Sequence, residues 1–293
     1  MRVPWKVANF AVGTVTLAML TGCAGSAITA RSTGDSVMSQ SVVRTTSWSH
    51  RVPPNSHIVT LSGSSMHGNG KVSPFISDEA AAATGNTFAV SDAENNVVDI
   101  FNSSGKLIAQ LSNFSEPQGL ASDIDGNLYI ADTSNSQIQI YAAGFKGKAT
   151  ILADPNQYPV GVDSFNRGQF VAVTNIISTS GGAGSVIIYK DGKAGKAISS
   201  TSFARIYFCA FDATGNLYID GENAEGIAVV GEIAGATTGG AKIATLSAGN
   251  SIAFVGGVQV TTTGDIAIGD QEAAAIYTYT PPVGGKFGMP LDT

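Results

Sequence analysis

Five short β-favouring runs in this chain end in Asp or Asn, and each is followed by more oxygen-bearing side chains. The groups are Asp92, Glu94 and Asn95; Asp132 and Asn135; Asn175 within a longer loop; Asp220, Glu222 and Asn223; and Asp270 with Glu272. Carboxylates and carboxamides gathered in this way suit two kinds of chemistry. They can coordinate a hard cation such as Ca²⁺, or hydrogen-bond the hydroxyls of a sugar. A plainer reading competes with both, because Asp followed three residues later by Asn is what a tight turn wants. Both side chains bond nearby backbone amides there.

The elements that must position these groups repeat along the chain. A Gly with a polar neighbour precedes each run: Thr84-Gly85-Asn86, Asp125-Gly126-Asn127, Arg167-Gly168-Gln169, Thr214-Gly215-Asn216 and Thr263-Gly264-Asp265. Gly supplies the positive φ of a tight turn. Two copies even share the five residues GNLYI, at Gly126–Ile130 and Gly215–Ile219. Past each acidic turn comes a second run: Val97–Phe101, Gln137–Tyr141, Ser185–Tyr189, Gly226–Val230 and Ala275–Tyr279. Further runs flank these pairs, such as Pro117–Asp123 and Tyr207–Asp212 before the Gly turn and Lys242–Ser247 after the second run. The period is roughly 40 to 50 residues, with four short strands per unit, which predicts an all-β fold, a β-propeller of four-stranded blades. Five blades are recognisable, within a total of five or six. His57–Ser62 resembles Lys242–Ser247 and is expected to close the ring as the outer strand of the last blade.

Composition agrees. The 293 residues are 43% hydrophobic and only 13% charged, with 35 Gly, which fits a turn-rich β protein better than a helical one. The formal net charge of −6 argues against nucleic acid as a partner.

The first 22 residues read as a targeting segment, with Arg2 and Lys6 ahead of a moderately apolar stretch from Val7 to Leu20. Leu20-Thr21-Gly22-Cys23 resembles the lipobox of bacterial lipoproteins. That resemblance implies acylation of Cys23, a membrane anchor through its lipid, and location in the bacterial cell envelope. Ala24 rather than Asp follows the cysteine, which points to the outer membrane or cell surface. Residues 23–56, rich in Ser, Thr, Gly and Ala, read as a flexible tether, and 57–293 as the propeller. With Cys23 lipidated, Cys209 has no partner for a disulfide, and its apolar surroundings (IYFCAF) make it a buried, inert thiol.

Pro117–Tyr141, PQGLASDIDGNLYIADTSNSQIQIY, resembles the NHL repeats of bacterial envelope propellers. It shows their order: Pro and Gly opening the inner strand, Asp, the Gly-Asn turn, an aliphatic strand ending in Asp, a polar turn, and a strand ending in an aromatic. The resemblance implies architecture rather than activity, since propellers host many functions. Propeller lyases use central histidines, yet His50, His57 and His67 all precede the first clear repeat. Quinone-dependent propellers use a Trp in every blade, and Trp5 and Trp48 also lie outside. The remaining enzyme type is the Ca²⁺-dependent lactonase-like hydrolase, with Glu, Asn and Asp at the axis. Tyr158, Tyr207 and Phe208 open adjacent inner strands near the same face, where they either wedge the core or stack on a sugar or peptide. The leading expectation is a non-catalytic binding or scaffold module for protein or glycan with no cofactor. The alternative is the divalent-cation-dependent hydrolase.

Overall fold

The computed structural model describes residues 87–102 and 105–291, together with the backbone of four short earlier strands, Val15–Thr16, Thr29–Ala30, Gln40–Arg44 and Val59–Leu61. Cys23, the three histidines and most of the expected targeting segment and tether lie outside the described residues.

Five antiparallel sheets follow one another as blades. Blade 1 contains Thr87–Asp92, Val97–Asn102 and Leu107–Leu111, with Gln40–Arg44 paired along the inner side of Thr87–Asp92. Blade 2 runs Pro117–Ser122, Leu128–Asp132, Gln137–Tyr141 and Thr150–Ala153 from the inside out. Blade 3 is Gln157–Phe165, Phe170–Ser178, Ser185–Lys190 and Lys193–Ala194. Blade 4 is Arg205–Phe211, Leu217–Glu222, Ala228–Ile233 and Ala244–Leu246. Blade 5 has three strands, Val255–Val260, Ile266–Asp270 and Ala275–Tyr279.

The expected pairing of His57–Ser62 with the last blade needs correction. Val59–Leu61 pairs with Gln40–Arg44, in the sheet of blade 1. The outer edge of blade 5 is met instead by the C-terminal tail. Leu291 N donates to Thr278 O at 2.6 Å, and the Phe287 ring packs on Tyr279 with centroids 4.8 Å apart.

The repeated Gly turns fold as their sequence requires. Gly126, Gly168, Gly215 and Gly264 have φ of 82°, 75°, 86° and 89°. In the two GNLYI copies the preceding Asp organises the turn. Asp123 Oδ1 accepts from Asn127 N at 2.9 Å and Oδ2 from Asn127 Nδ2 at 2.8 Å; Asp212 and Asn216 do the same at 2.9 and 2.8 Å.

The four larger apolar clusters lie between blades, and a small fifth, Val90 and Phe101 with Phe88 and Leu107, belongs to blade 1 alone. One joins Val98 and Ile100 of blade 1 to Leu120 and Leu128 of blade 2. The next joins Ala131 and Ile138 to Val173 and Ile187 of blade 3. A third joins Ala172 and Val186 to Cys209 and Ile219 of blade 4, and a fourth Val230 to Val258 and Ile268 of blade 5. Burying both faces of each sheet explains why the strands read apolar throughout rather than alternating.

The inner strands of blades 2 to 5 all carry a register shift, between Pro117 and Leu120, Pro159 and Gly161, Ile206 and Cys209, and Val255 and Val258. Near the axis the blades converge, and glycines at this irregularity let backbones touch. A Cβ on Gly119 would stand 2.5 Å from Val160 O, and one on Gly161 would stand 2.5 Å from Tyr207 O. Bulges and glycines are the features that permit such crowding.

Candidate functional site

Each blade carries one of the Asp or Asn residues in its second strand: Asp92, Asp132 and Asp270 end theirs, whereas Asn175 and Asp220 lie within Phe170–Ser178 and Leu217–Glu222. Asp92, Asp132, Asn175, Asp220 and Asp270 are all buried, with 0–6% exposure. What their oxygens do is largely backbone work. Asp92 Oδ1 accepts from Asn95 N at 2.9 Å and Oδ2 from Asn95 Nδ2 at 3.0 Å, closing its own turn. Asp132 Oδ1 takes Ser115 N at 2.7 Å; its Oδ2 collects the amides of Asn135, Gln137 and Gln139 at 2.8–2.9 Å. Asp270 accepts Ala253 N, Phe254 N, Glu272 N and Ala273 N at 2.9–3.3 Å.

Asp220 reaches furthest. Its Oδ1 accepts Phe208 N at 2.7 Å, in its own inner strand, and its Oδ2 accepts Gly257 N at 2.9 Å, in the inner strand of blade 5. Burial pushes its carboxyl up to about 7, and the two backbone donors offset part of that rise.

Other side chains at the same level also tie one blade to the next. Thr133 Oγ1 donates to Pro159 O at 2.7 Å, and Thr174 Oγ1 to Tyr207 O at 2.6 Å. Asn96 Oδ1 accepts from Glu116 N at 2.7 Å. The exposed members, Glu94, Asn135 and Glu272, and the half-buried Asn223 stand around this rim. Asn223 Oδ1 caps its own turn, accepting Glu225 N at 3.0 Å and Ile227 N at 2.9 Å. Among the described residues no group of three or more His, Cys, Asp or Glu side chains is placed to hold a metal ion.

A different cluster forms at the blade 4–5 junction. Arg205 is paired with Glu222 across the two innermost strands of blade 4, Arg205 half exposed and Glu222 buried at 8%. The Tyr207 hydroxyl sits beside that pair. Burial first and the Glu222 charge second push its pKa far above the usual tyrosine range, while Arg205 acts in the opposite sense. The Tyr207 ring lies 6.3 Å from the ring of Phe254, which is 38% exposed and is held in place through its backbone by Asp270. The half-buried Phe208 ring packs against the same blade 4–5 core. Tyr158, also half-buried, opens the inner strand of blade 3. An aromatic pair with a guanidinium and a carboxylate alongside can stack on a sugar or aromatic side chain and hydrogen-bond its substituents.

Residue-type reasoning found Tyr207, Phe208 and Glu222 but missed Arg205 and Phe254. Both were available from the repeat itself: Arg205 begins the run that holds Tyr207, and Phe254 precedes the blade 5 inner strand much as Tyr207 and Phe208 open that of blade 4. Cys209 is buried at 4%, its Sγ 3.9 Å from Ala172 O, and burial raises its thiol pKa well above the ordinary value. It is the inert core thiol expected from its neighbours.

Residues 114–141 match the NHL repeat family. No curated protein matches the chain in sequence. Among solved structures, the fold is similar to a chain of the nidogen/laminin complex, with a TM-score of 0.54 at 12% identity, covering 67% of this chain and 72% of that one. It is similar to the hydrazine synthase of Kuenenia stuttgartiensis, with a TM-score of 0.53 at 15% identity, covering 71% and 64%. A catalytically inactive virginiamycin B lyase from Staphylococcus aureus, solved with quinupristin, gives a TM-score of 0.53 at 13% identity, covering 69% and 64%. At such identities the likeness is one of fold.

Proposed function

We propose that this chain is a lipid-anchored lipoprotein of the bacterial cell envelope whose NHL-type propeller is a non-catalytic binding module for protein or glycan. The observation that carries the reading is a division of labour on one face. The carboxylates of Asp92, Asp132, Asp220 and Asp270 are committed to turn, backbone and side-chain amide donors, while Tyr207, Phe254, Arg205 and Glu222 form a half-open aromatic and charged cluster. Carboxylates used up as acceptors are poor candidates for a nucleophile, a general base or a cation cage. Aromatic rings next to a guanidinium are common anchors in recognition. One of the similar folds comes from a complex of nidogen with laminin, which fits a protein partner in kind.

The test is binding of the full chain to peptide and glycan arrays that include cell-wall fragments. Binding that Tyr207→Ala and Phe254→Ala abolish together supports the proposal. Calcium-dependent turnover of a lactone by the same preparation would sink it in favour of the lactonase-like hydrolase. The anchor has its own experiment: Cys23→Ser should move the protein from membrane to soluble fractions, and unchanged retention would refute lipidation.

A further inference from the structure

The Gly turns and the acidic turns lie at opposite ends of the blades. In blade 2, Leu128 pairs with Tyr141 at the Gly-turn end and Asp132 with Gln137 at the other. In blade 3, Phe170 pairs with both Phe165 and Lys190 at the Gly-turn end. Contacts between the two blades hold these ends together. Arg167, in the Gly turn of blade 3, is paired with Asp125, in the Gly turn of blade 2. Ala143 N, in the loop that leads to Lys146 and Lys148, donates to Asn127 Oδ1 at 3.2 Å. Asp191 N donates to Gln169 O at 2.8 Å, which seats the turn between Lys190 and Lys193 beside the same Gly turn. Gly195 N donates to Ile188 O at 2.9 Å, so Lys196 follows along the outer edge of blade 3.

Six of the ten Lys and Arg in residues 87–291 gather here, and all six are exposed: Lys146, Lys148, Arg167, Lys190, Lys193 and Lys196. The exposed carboxylates among them are Asp125 and Asp191, while Asp123 is buried in its turn. Six positive charges against two negative leave a patch of +4 on a chain whose formal net charge is −6. The patch is held against its own repulsion. Lys190 and Lys193 stand directly opposite each other in adjacent strands, a pairing of like charges that costs stability. An anionic partner would remove that cost. The acidic-turn end has the other sign. Glu94, Glu116, Glu225 and Glu272 are exposed there, and Arg205 is already paired with Glu222. Strands of this length set the two ends about 17–20 Å apart, beyond the ~8–10 Å over which salt screens a charge. A planar anionic surface therefore meets one end of the ring without opposition from the other.

We propose that the Gly-turn end of blades 2 and 3 docks on a bilayer surface rich in anionic phosphate headgroups, which leaves the cluster of Tyr207 and Phe254 facing away from the lipid. Basic side chains near an anionic leaflet each add to the attraction, and the effect fades within a Debye length. The choice of a bilayer rests on the anchor proposed for Cys23, which brings the chain there; the patch decides which end of the ring meets it.

The experiment floats the full chain, carrying Cys23→Ser so that no lipid contributes, with phosphatidylcholine vesicles made with or without phosphatidylglycerol. At about 0.1 M salt it should bind the anionic vesicles in preference to the neutral ones, and about 1 M salt should release it. Lys146→Glu with Lys193→Glu should weaken that binding by about tenfold or more. Lys242→Glu with Lys286→Glu makes the same change of charge outside the patch and should leave it near the unsubstituted level. These four lysines are exposed, so matching melting midpoints will show that each variant is folded. Equal binding to both vesicles, indifference to salt, or an equal loss from the two pairs overturns the docking surface. So does an RNA oligonucleotide that displaces the chain from anionic vesicles, since the patch would then serve nucleic acid. Membrane retention of the wild-type chain in cells, lost in Cys23→Ser, reports on the anchor alone. Such retention without vesicle preference would keep the anchor and sink the docking.

Discussion

Asp220 of blade 4 accepts the backbone N–H of Gly257 in blade 5 at 2.9 Å while its other oxygen holds Phe208 N–H at 2.7 Å. One side chain thus fixes the register of its own inner strand and the seating of the next blade. The oxygen-rich rim that looks like a ligand cage in the sequence is, at this position, a joint.

Asp220→Ala should therefore cost about 3 kcal/mol of stability, because two backbone donors lose their acceptor at a buried place. Denaturant unfolding of the full chain measures it. A variant as stable as wild type would show that the carboxylate is free for another role.

The same residue sets a pH dependence. Burial raises the folded-state pKa of Asp220 to about 7, against an ordinary value of 3.8. Asp163, whose Oδ2 accepts Phe211 N at 2.7 Å, is likewise raised by burial to about 7. Between those values the folded chain holds more protons than the unfolded one, so these groups add stability at acid pH and lose it as pH rises through about 7. The melting midpoint should climb as pH falls from about 8 towards 5. A midpoint that falls steadily over that interval would contradict the assignment.

Gly161→Ala tests the crowding at the axis. The new methyl carbon would stand 2.3 Å from Thr174 Oγ1 and 2.5 Å from Tyr207 O, where neither the inner strand nor its bonded threonine has room to move. A loss of about 2 kcal/mol or more is expected. Gly226→Ala is the control: it shares the positive φ of a turn glycine but meets nothing within 4 Å, so its cost should reflect backbone strain alone.

Phe287→Ala should weaken the last blade. Phe287 is 6% exposed, packs on Tyr279, and is tied to Ser247 by a backbone hydrogen bond of 2.9 Å. Truncation should cost about 3 kcal/mol, with the earliest loss of hydrogen-exchange protection in Ala275–Tyr279. Protection lost uniformly across all blades would mean that the tail supports the whole ring equally.

Most of the architecture was legible in the chain. The Gly-Asn turns recur at a near-constant period, and their positive φ is a local demand that only a few residue types meet. Runs apolar on both faces follow from blades that bury both sides. The order turn, strand, acidic turn, strand was therefore readable before any coordinates. The site was less so. Asp132 lies two residues past one GNLYI copy and Asp220 one residue past the other; Asp132 gathers side-chain amides from its own blade, and Asp220 bridges to the next. The residue type is the same and the spacing differs by one residue, which in a strand turns the side chain to the opposite face; which donors wait on that face depends on how the blades pack. Arg205 and Phe254 have recognisable places in the repeat, but their importance comes from Glu222 and Tyr207, which only the packed strands bring beside them. What the sequence by itself determined is local: where turns fall, which runs extend, which residues cannot face water. Only the tertiary structure decided which oxygens are satisfied. A hydrogen bond between residues 37 positions apart, like that of Asp220 with Gly257, exists only after the ring has brought two blades together.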